Sequence, residues 1–545
     1  LKFLLRKTSA VKGKFEIPCP MYDLIIKKGL IVDGTNCPGR KGDVGILKDR
    51  IVFIGELPRD QGKKILSAEN KVVAPGFIDI HSHSDFTLLA DPQAESKVHQ
   101  GVTTELIGQC GVSAAPLEGA VRERRKAELA DLGIPLTWTT LDEYFLRLEE
   151  AQPIVNIATL VGHGNLRGSV VGYDNHPASQ SELKKMVTLL RQGLNSGAFG
   201  LSTGLIYPPG VYSSTEELHT LTKVVAESDG LYATHLRSEG EGLVEAIQEA
   251  LHIAETGGVS LQVSHLKTHG KKNWGKLARV FQLIEDLRKK GLSIHADRYP
   301  YTASSTDLDV LLPSWAWEDG GQKELTRLAD PDTQKKMTEE ILSQNPEPEF
   351  WEKVMIASVK KEKNRWLEGK TLAEISSQKK LAPWETLYDL LREEELGVSA
   401  IFFFMSEDNL NQILIKDYVM IGTDSSARSA SGILRRGKPH PRGFGTYPRV
   451  LRHYTGQGKL LSLETAIHKM TGLPAKKLGL PDRGIIHPGY YADIVVFDPQ
   501  TVRDRSDYDN PFQYPVGIEH VFINGEEVIS QGAVTGQKPG RILRK

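Results

Sequence analysis

Residues 75–85 read PGFIDIHSHSD, a short apolar run that ends in two histidines one residue apart. Side chains two apart in a strand share a face, so His81 and His83 can leave the strand end in the same direction. Seven further segments have the same form: TTELIGQC (103–110), NIATLVGHG (156–164), AFGLSTG (198–204), LYATH (231–235), SLQVSH (260–265), LSIHADRY (292–299) and VMIGTD (419–424). Between them the periodicity predicts helices at 181–195, 214–227, 242–255 and 277–290. Strands that alternate with helices form a parallel sheet, and eight of them predict an α/β fold, a closed (β/α)8 TIM-like barrel with its chemistry at the C-terminal strand ends.

The flanks read differently. Short β-rich segments broken by turns fill 22–73 and recur at the far end, where Asn524-Gly525 is a hairpin signal. They predict a small composite β-sandwich domain built from 21–75 and 484–545, around a barrel over 76–483. Roughly 120 residues separate the seventh and eighth strands, far more than an ordinary connection, and the Trp- and charge-rich stretch at about 307–344 is expected to form an inserted lid subdomain. Residues 1–20 are read as an N-terminal extension, with Met21 as the native start.

Composition narrows the partners. With Lys+Arg 68 against Asp+Glu 69 in 545 residues, and no basic run interleaved with aromatics, a nucleic-acid groove is not expected and a small-molecule substrate is. Three cysteines, Cys19, Cys37 and Cys110, make no disulfide framework and fit a reducing compartment, so the expected location is the cytoplasm. No apolar run is long enough to span a membrane. The oligomeric state is left open.

The chemistry lies at the strand ends. His81 and His83 close the first strand, Cys110 the second, His163 the third, His235 the fifth, His265 the sixth and Asp424 the eighth. A lone strand-end histidine is usually a hydrogen-bonded structural residue, a buried free cysteine usually a small hydrophobe, and an aspartate after an apolar strand usually a helix cap. Together at one barrel mouth, imidazole and thiolate are a donor set for Zn²⁺. Zinc lowers the pKa of water from about 15.7 toward about 7, and Asp424 can accept the proton of that nucleophile and return it to a departing amine. Hydrolysis of an amide or related C–N bond follows.

PGFIDIHSHSD, with GVTTELIGQCG, GHGNLR, GLSTGLIYPPG, THLRSEG, SHLKTHG, DRYPYTASST and HPRGFGTYPRVL, resembles the D-aminoacylase group of the amidohydrolase superfamily, from about Met21 to Gly536. The resemblance implies zinc-dependent deacylation of N-acyl-D-amino acids. It implies a tighter zinc on Cys110, His235 and His265, and a second, weaker position on His81, His83 and the shared Cys110. Asp424 matches the catalytic aspartate. Arg442 matches the residue that takes the α-carboxylate, and Lys267, Tyr299 and Ser305 match further substrate-binding positions, while His163 and Arg167 match GHGNLR and either support the mouth or serve a structural role. The fourth strand has no lysine to be carboxylated, which disfavours the hydantoinase-like branch. Two alternatives stand beside deacylation: another C–N substrate, such as an N-substituted formamide or a D-residue dipeptide, and a catalytically silent binding module.

Overall fold

Eight parallel strands close on one another in chain order. The computed structural model describes residues 21–57 and 61–545, so the expected extension over 1–20 lies outside the described residues. The strands are Phe77–Asp79, Val102–Ile107, Asn156–Thr159 with Val161–Gly162, Gly200–Gly204, Leu231–His235, Ser260–Val263, Ile294–Arg298 and Val419–Ile421. The third is broken at Leu160: its first piece pairs with the second strand and its last with the fourth. The eighth meets the first through the Asp424 N–H, which donates to the His81 carbonyl at 2.8 Å, and a bridge between Ser82 and Ser425.

Alternation along these strands sorts their residues. Ile78, Leu106, Ala158, Leu231, Ala233 and Met420 join one cluster. Their neighbours Phe77, Ile107, Ile157, Tyr232 and Val419 pack in the larger core with the helices. This is the two-residue period of a sheet buried on both faces. The helices Gln180–Asn195, Thr215–Ala226, Leu243–Gly257 and Leu277–Lys289 fall within two residues of their expected bounds. Ser179 and Glu182 form a capping box, and Ser214 caps the next helix; each such cap contributes about 1 kcal/mol. No helix of the described residues is long and apolar enough to cross a membrane.

Strands from both flanks hydrogen-bond as one nine-stranded sheet. It forks at Tyr22–Ile31, which pairs with Gly62–Ser67 along its first half and with Val72–Pro75 at its end. Val72–Pro75 in turn pairs antiparallel with Ile494–Phe497. Asn524 and Gly525, at φ 49° and 84°, make the expected hairpin turn between Ile518–Ile523 and Glu526–Ser530.

The insertion is larger than its expected bounds of about 307–344. Its sheet comprises Ser304–Asp307, Val354–Val359 and Val398–Phe402, and its own core runs from Leu308 to Phe404. The charge-rich stretch marks only its first half, because the strand SSTD carries no apolar signal and its partner lies near residue 400.

One buried charge cluster pins the seam where the barrel closes. Lys97 Nζ lies 2.6 Å from Asp79 Oδ2, 3.2 Å from Glu105 Oε2, 2.8 Å from Thr423 Oγ1 and 2.8 Å from the Ser425 carbonyl, with no exposure at Lys97, Asp79 or Glu105. Removing the cation strands two buried carboxylates, and breaking such a pair costs about 3–5 kcal/mol. Lys97→Met is therefore expected to lose stability on that order in urea denaturation; a variant with an unchanged midpoint would show that the seam does not depend on it.

Candidate metal centre and active site

Cys110, His265 and Asp424 stand just past their strands with φ of 52°, 36° and 49°, a region that non-glycine residues rarely occupy. Each turn is held from outside. The His265 N–H donates to Asp297 Oδ1 at 2.8 Å, the Asp424 N–H to the His81 carbonyl, and the Gly111 N–H, next to Cys110, to Ser202 Oγ at 3.0 Å. Gly204 lies so close that a Cβ there would fall 2.2 Å from the Cys110 carbonyl oxygen. Only glycine permits that approach.

These turns bring the predicted donors together. Cys110 Sγ is 3.3 Å from His81 Nε2 and 3.5 Å from His265 Nε2. The His235 and His265 ring centres are 4.3 Å apart. Asp424 Oδ1 is 3.0 Å from His83 Nε2 and 3.4 Å from His81 Nε2. Behind the cluster, Asp297 Oδ1 accepts from His81 Nδ1 at 3.0 Å, and Glu239 Oε1 lies 2.9 Å from His265 Nδ1. Carboxylates that hold the outer nitrogen of an imidazole fix its tautomer and leave the inner nitrogen to bind a metal.

His235 supplies the sharpest sign of a ligand. It is 6% exposed, and neither ring nitrogen makes a hydrogen bond of proper geometry, although Glu239 Oε1 is 3.8 Å away. Buried polar groups are seldom left so. Together with the Cys110 thiol and the His265 nitrogen, this orphaned imidazole fits a zinc ion by donor type.

The charges agree with that fit. Burial opposes ionisation of Cys110, but His81 and His265 beside it hold the thiol well below its ordinary range. Burial likewise opposes charge on Asp424, and Arg442, His265 and His81 outweigh it, keeping the carboxyl well below its usual value. At His83, burial is overcome by Asp424 and Cys110, which raise the imidazole to about 9.

A cavity of about 1280 Å³ opens over the cluster, lined by His83, Cys110, His235, His265, Lys267, Tyr299, Ser305, Asp424 and Arg442, whereas His81, His163 and Arg167 lie outside its lining. Arg442 opens the helix Arg442–Arg449; its Nη1 is 2.8 Å from Asp424 Oδ2, its Nη2 donates to the Ser305 carbonyl at 3.4 Å, and its guanidinium lies 4.6 Å from the Tyr299 ring centre. The Tyr299 hydroxyl is buried and unpartnered. Lys267 is already engaged by Glu239, which it shares with the His265 ring. His163 and Arg167 take the structural one of their two expected roles, sharing Glu217 at 2.7 Å and 2.5 Å inside the first turns of a buried helix.

Asp297 and Glu239 complete the site without being marked by the strand-end pattern of histidine, cysteine and Asp424. Glu239 stands four residues after His235 in THLRSEG, and Asp297 ends LSIHAD, so a search for carboxylates near the ligand segments would have found both.

A sequence model of the amidohydrolase family matches residues 64–328 and 405–529, and the gap falls within the inserted subdomain. The chain is 35% identical over 527 residues to a D-aminoacylase of Alcaligenes xylosoxydans xylosoxydans, covering 96% of this chain and 98% of that one. It is 36% identical over 523 residues to an N-acyl-D-glutamate deacylase of the same organism, covering 96% of each. The crystal structure of N-acyl-D-glutamate deacylase from Bordetella bronchiseptica, complexed with zinc and a phosphonate inhibitor, matches with a TM-score of 0.81 at 34% identity, covering 96% of this chain and 100% of that one. Likeness of this degree over 96% of the chain means that it belongs to the D-aminoacylase group of the amidohydrolase superfamily.

Proposed function

We propose that this protein hydrolyses the amide bond of N-acyl-D-amino acids in a zinc-dependent reaction, releasing a carboxylate and a free D-amino acid. The observation that carries this reading is the junction of Asp424 and Arg442 at the edge of the thiolate–imidazole cluster. It sets a proton acceptor beside a fork for a carboxylate. The activities named for the relatives supply the D configuration. The sparse cysteines favour a cytoplasmic setting.

Cys110, His235 and His265 are the residues to hold the tighter zinc, and His81 and His83 with the shared Cys110 a second, weaker one. When bound, zinc supplies an acidified water at neutral pH and a positive charge for the amide oxygen. Asp424 accepts the proton of the attacking water and later returns it to the departing amine. Arg442 binds the α-carboxylate, with Tyr299 and Ser305 beside it. Lys267, paired with Glu239, lies next to the same cavity.

A screen of D/L pairs of N-acetyl amino acids, with N-formyl compounds and dipeptides alongside, tests the assignment: turnover is expected for the D-acyl series, and activity confined to the formamides or dipeptides would replace it.

Two variants separate holding the ion from using it. Cys110→Ser exchanges a thiolate for a neutral hydroxyl and is expected to lose most bound zinc and activity, whereas Asp424→Asn keeps the zinc and loses about 10²–10⁴-fold in kcat. Metal analysis of the purified proteins checks both. Full zinc in the serine variant removes Cys110 from the ligand set, and nearly unchanged kcat in the asparagine variant moves the base elsewhere.

Arg442→Lys keeps the charge but not the planar fork. It is expected to lower kcat/KM strongly for N-acyl-D-amino acids and little for a neutral amide without the α-carboxylate. An equal fall for both substrate types would make Arg442 a support for its loop rather than a substrate contact.

A further inference from the structure

The cavity continues past the catalytic groups to a wall supplied by the insertion. Asp307, Asp309 and Glu324 all border it there, alongside Leu311 and Trp317. Glu324 is 4% exposed, and its Oε1 has no hydrogen-bond partner. Arg124, which borders the same cavity, pairs with Glu128 and also acts electrostatically on all three carboxyls; Arg125 pairs with Glu128, and Arg327 pairs with Asp319 while also acting on Glu324. Burial, reinforced by Asp309, raises the Glu324 carboxyl to about 8, and burial with Asp307 raises that of Asp309. Three carboxyls crowded at a cavity wall, one of them buried with an orphaned oxygen, are complementary to a cation.

Their place relative to the reaction follows from the backbone. The Ser305 carbonyl accepts from Arg442, and Asp307 lies two residues further along the strand Ser304–Asp307. It therefore shares the face of Ser305, about 7 Å beyond it. Asp309 follows in the next turn. A substrate whose α-carboxylate rests on Arg442 reaches this wall with an arm the length of an arginine side chain.

We infer that this acidic wall, Asp307, Asp309 and Glu324, selects N-acyl-D-amino acids that carry a protonated amine or guanidinium at the far end of the side chain or of the acyl group. The inference rests on the deacylase reading for the position of the α-carboxylate. The carboxylates receive the cation as charge-assisted hydrogen bonds, and Leu311 and Trp317 cover its aliphatic stem.

The test compares kcat/KM within two pairs of matched shape. Nα-acetyl-D-arginine against Nα-acetyl-D-citrulline places the charge on the side chain. 5-Aminopentanoyl-D-leucine against hexanoyl-D-leucine places it on the acyl group. In one pair the cationic member is expected to be favoured about tenfold or more, and the pair that shows it names the arm that meets the wall. Glu324→Gln and Asp309→Asn, made separately, are each expected to bring that ratio down toward unity with no loss of Tm, since each replaces a strained carboxyl by an amide. Ratios near unity in both pairs, or a preference that survives both variants, overturn the inference. Calorimetric binding of Nα-acetyl-D-arginine and Nα-acetyl-D-citrulline to the zinc-loaded Asp424→Asn protein reads the same contrast without turnover. Binding contrast with no hydrolysis of any pair would sink the deacylase reading and keep the acidic wall; hydrolysis of the neutral members with no contrast would do the reverse.

Discussion

Three side chains of the metal centre, those of Cys110, His265 and Asp424, depend on residues held in left-handed backbone conformations. Each such residue costs of order 1–3 kcal/mol and persists only where its surroundings over-determine it. Here the surroundings are other parts of the same mouth: the Asp297 carboxylate under the His265 N–H, the His81 carbonyl under the Asp424 N–H, and the close approach of Gly204 to Cys110. The centre and the barrel closure are therefore one structure. A strand that slipped by one residue would misplace a ligand and also remove the hydrogen bond that keeps its neighbour's turn.

The carboxylates behind the ligands extend this logic. Asp297 holds the His81 ring, the His265 backbone and the Gln262 side chain at once, so it couples the first, sixth and seventh strands through a single group. Glu239 does the same for His265 and Lys267, and lies near His235. Buried charges of this kind add little net stability. What they contribute is orientation, which a cluster with several acceptable proton arrangements would otherwise lack.

Much of this was legible in the sequence because it depends on local pattern. Strand ends carrying His81, His83, Cys110, His235, His265 and Asp424 follow from the two-residue period, and the helices expected at 181–195 and 214–227 follow from their own periodicity. What escaped depends on partners distant in the chain. Lys97, Asp297 and Glu239 carry no local signal of their roles, which appear only when the fold supplies Asp79, His81 and His265. His163 looks like one more strand-end ligand until Glu217, 54 residues on, captures it. The insertion was underestimated for the same reason, since Ser304–Asp307 becomes a strand only by pairing with Val398–Phe402.

The nine-stranded sheet bears on how the protein is made. Val72–Pro75 is flanked by Tyr22–Ile31 on one side and by Ile494–Phe497 on the other, so during synthesis it stays an open edge until more than about four hundred further residues have left the ribosome. At the usual rate of about 5–20 residues per second, that interval lasts tens of seconds. Open edges are templates for unwanted pairing, and contacts so far apart in sequence form slowly. The nascent chain can complete its barrel strands before this sheet, leaving the joining of the flanks as the last and most aggregation-exposed stage of biogenesis.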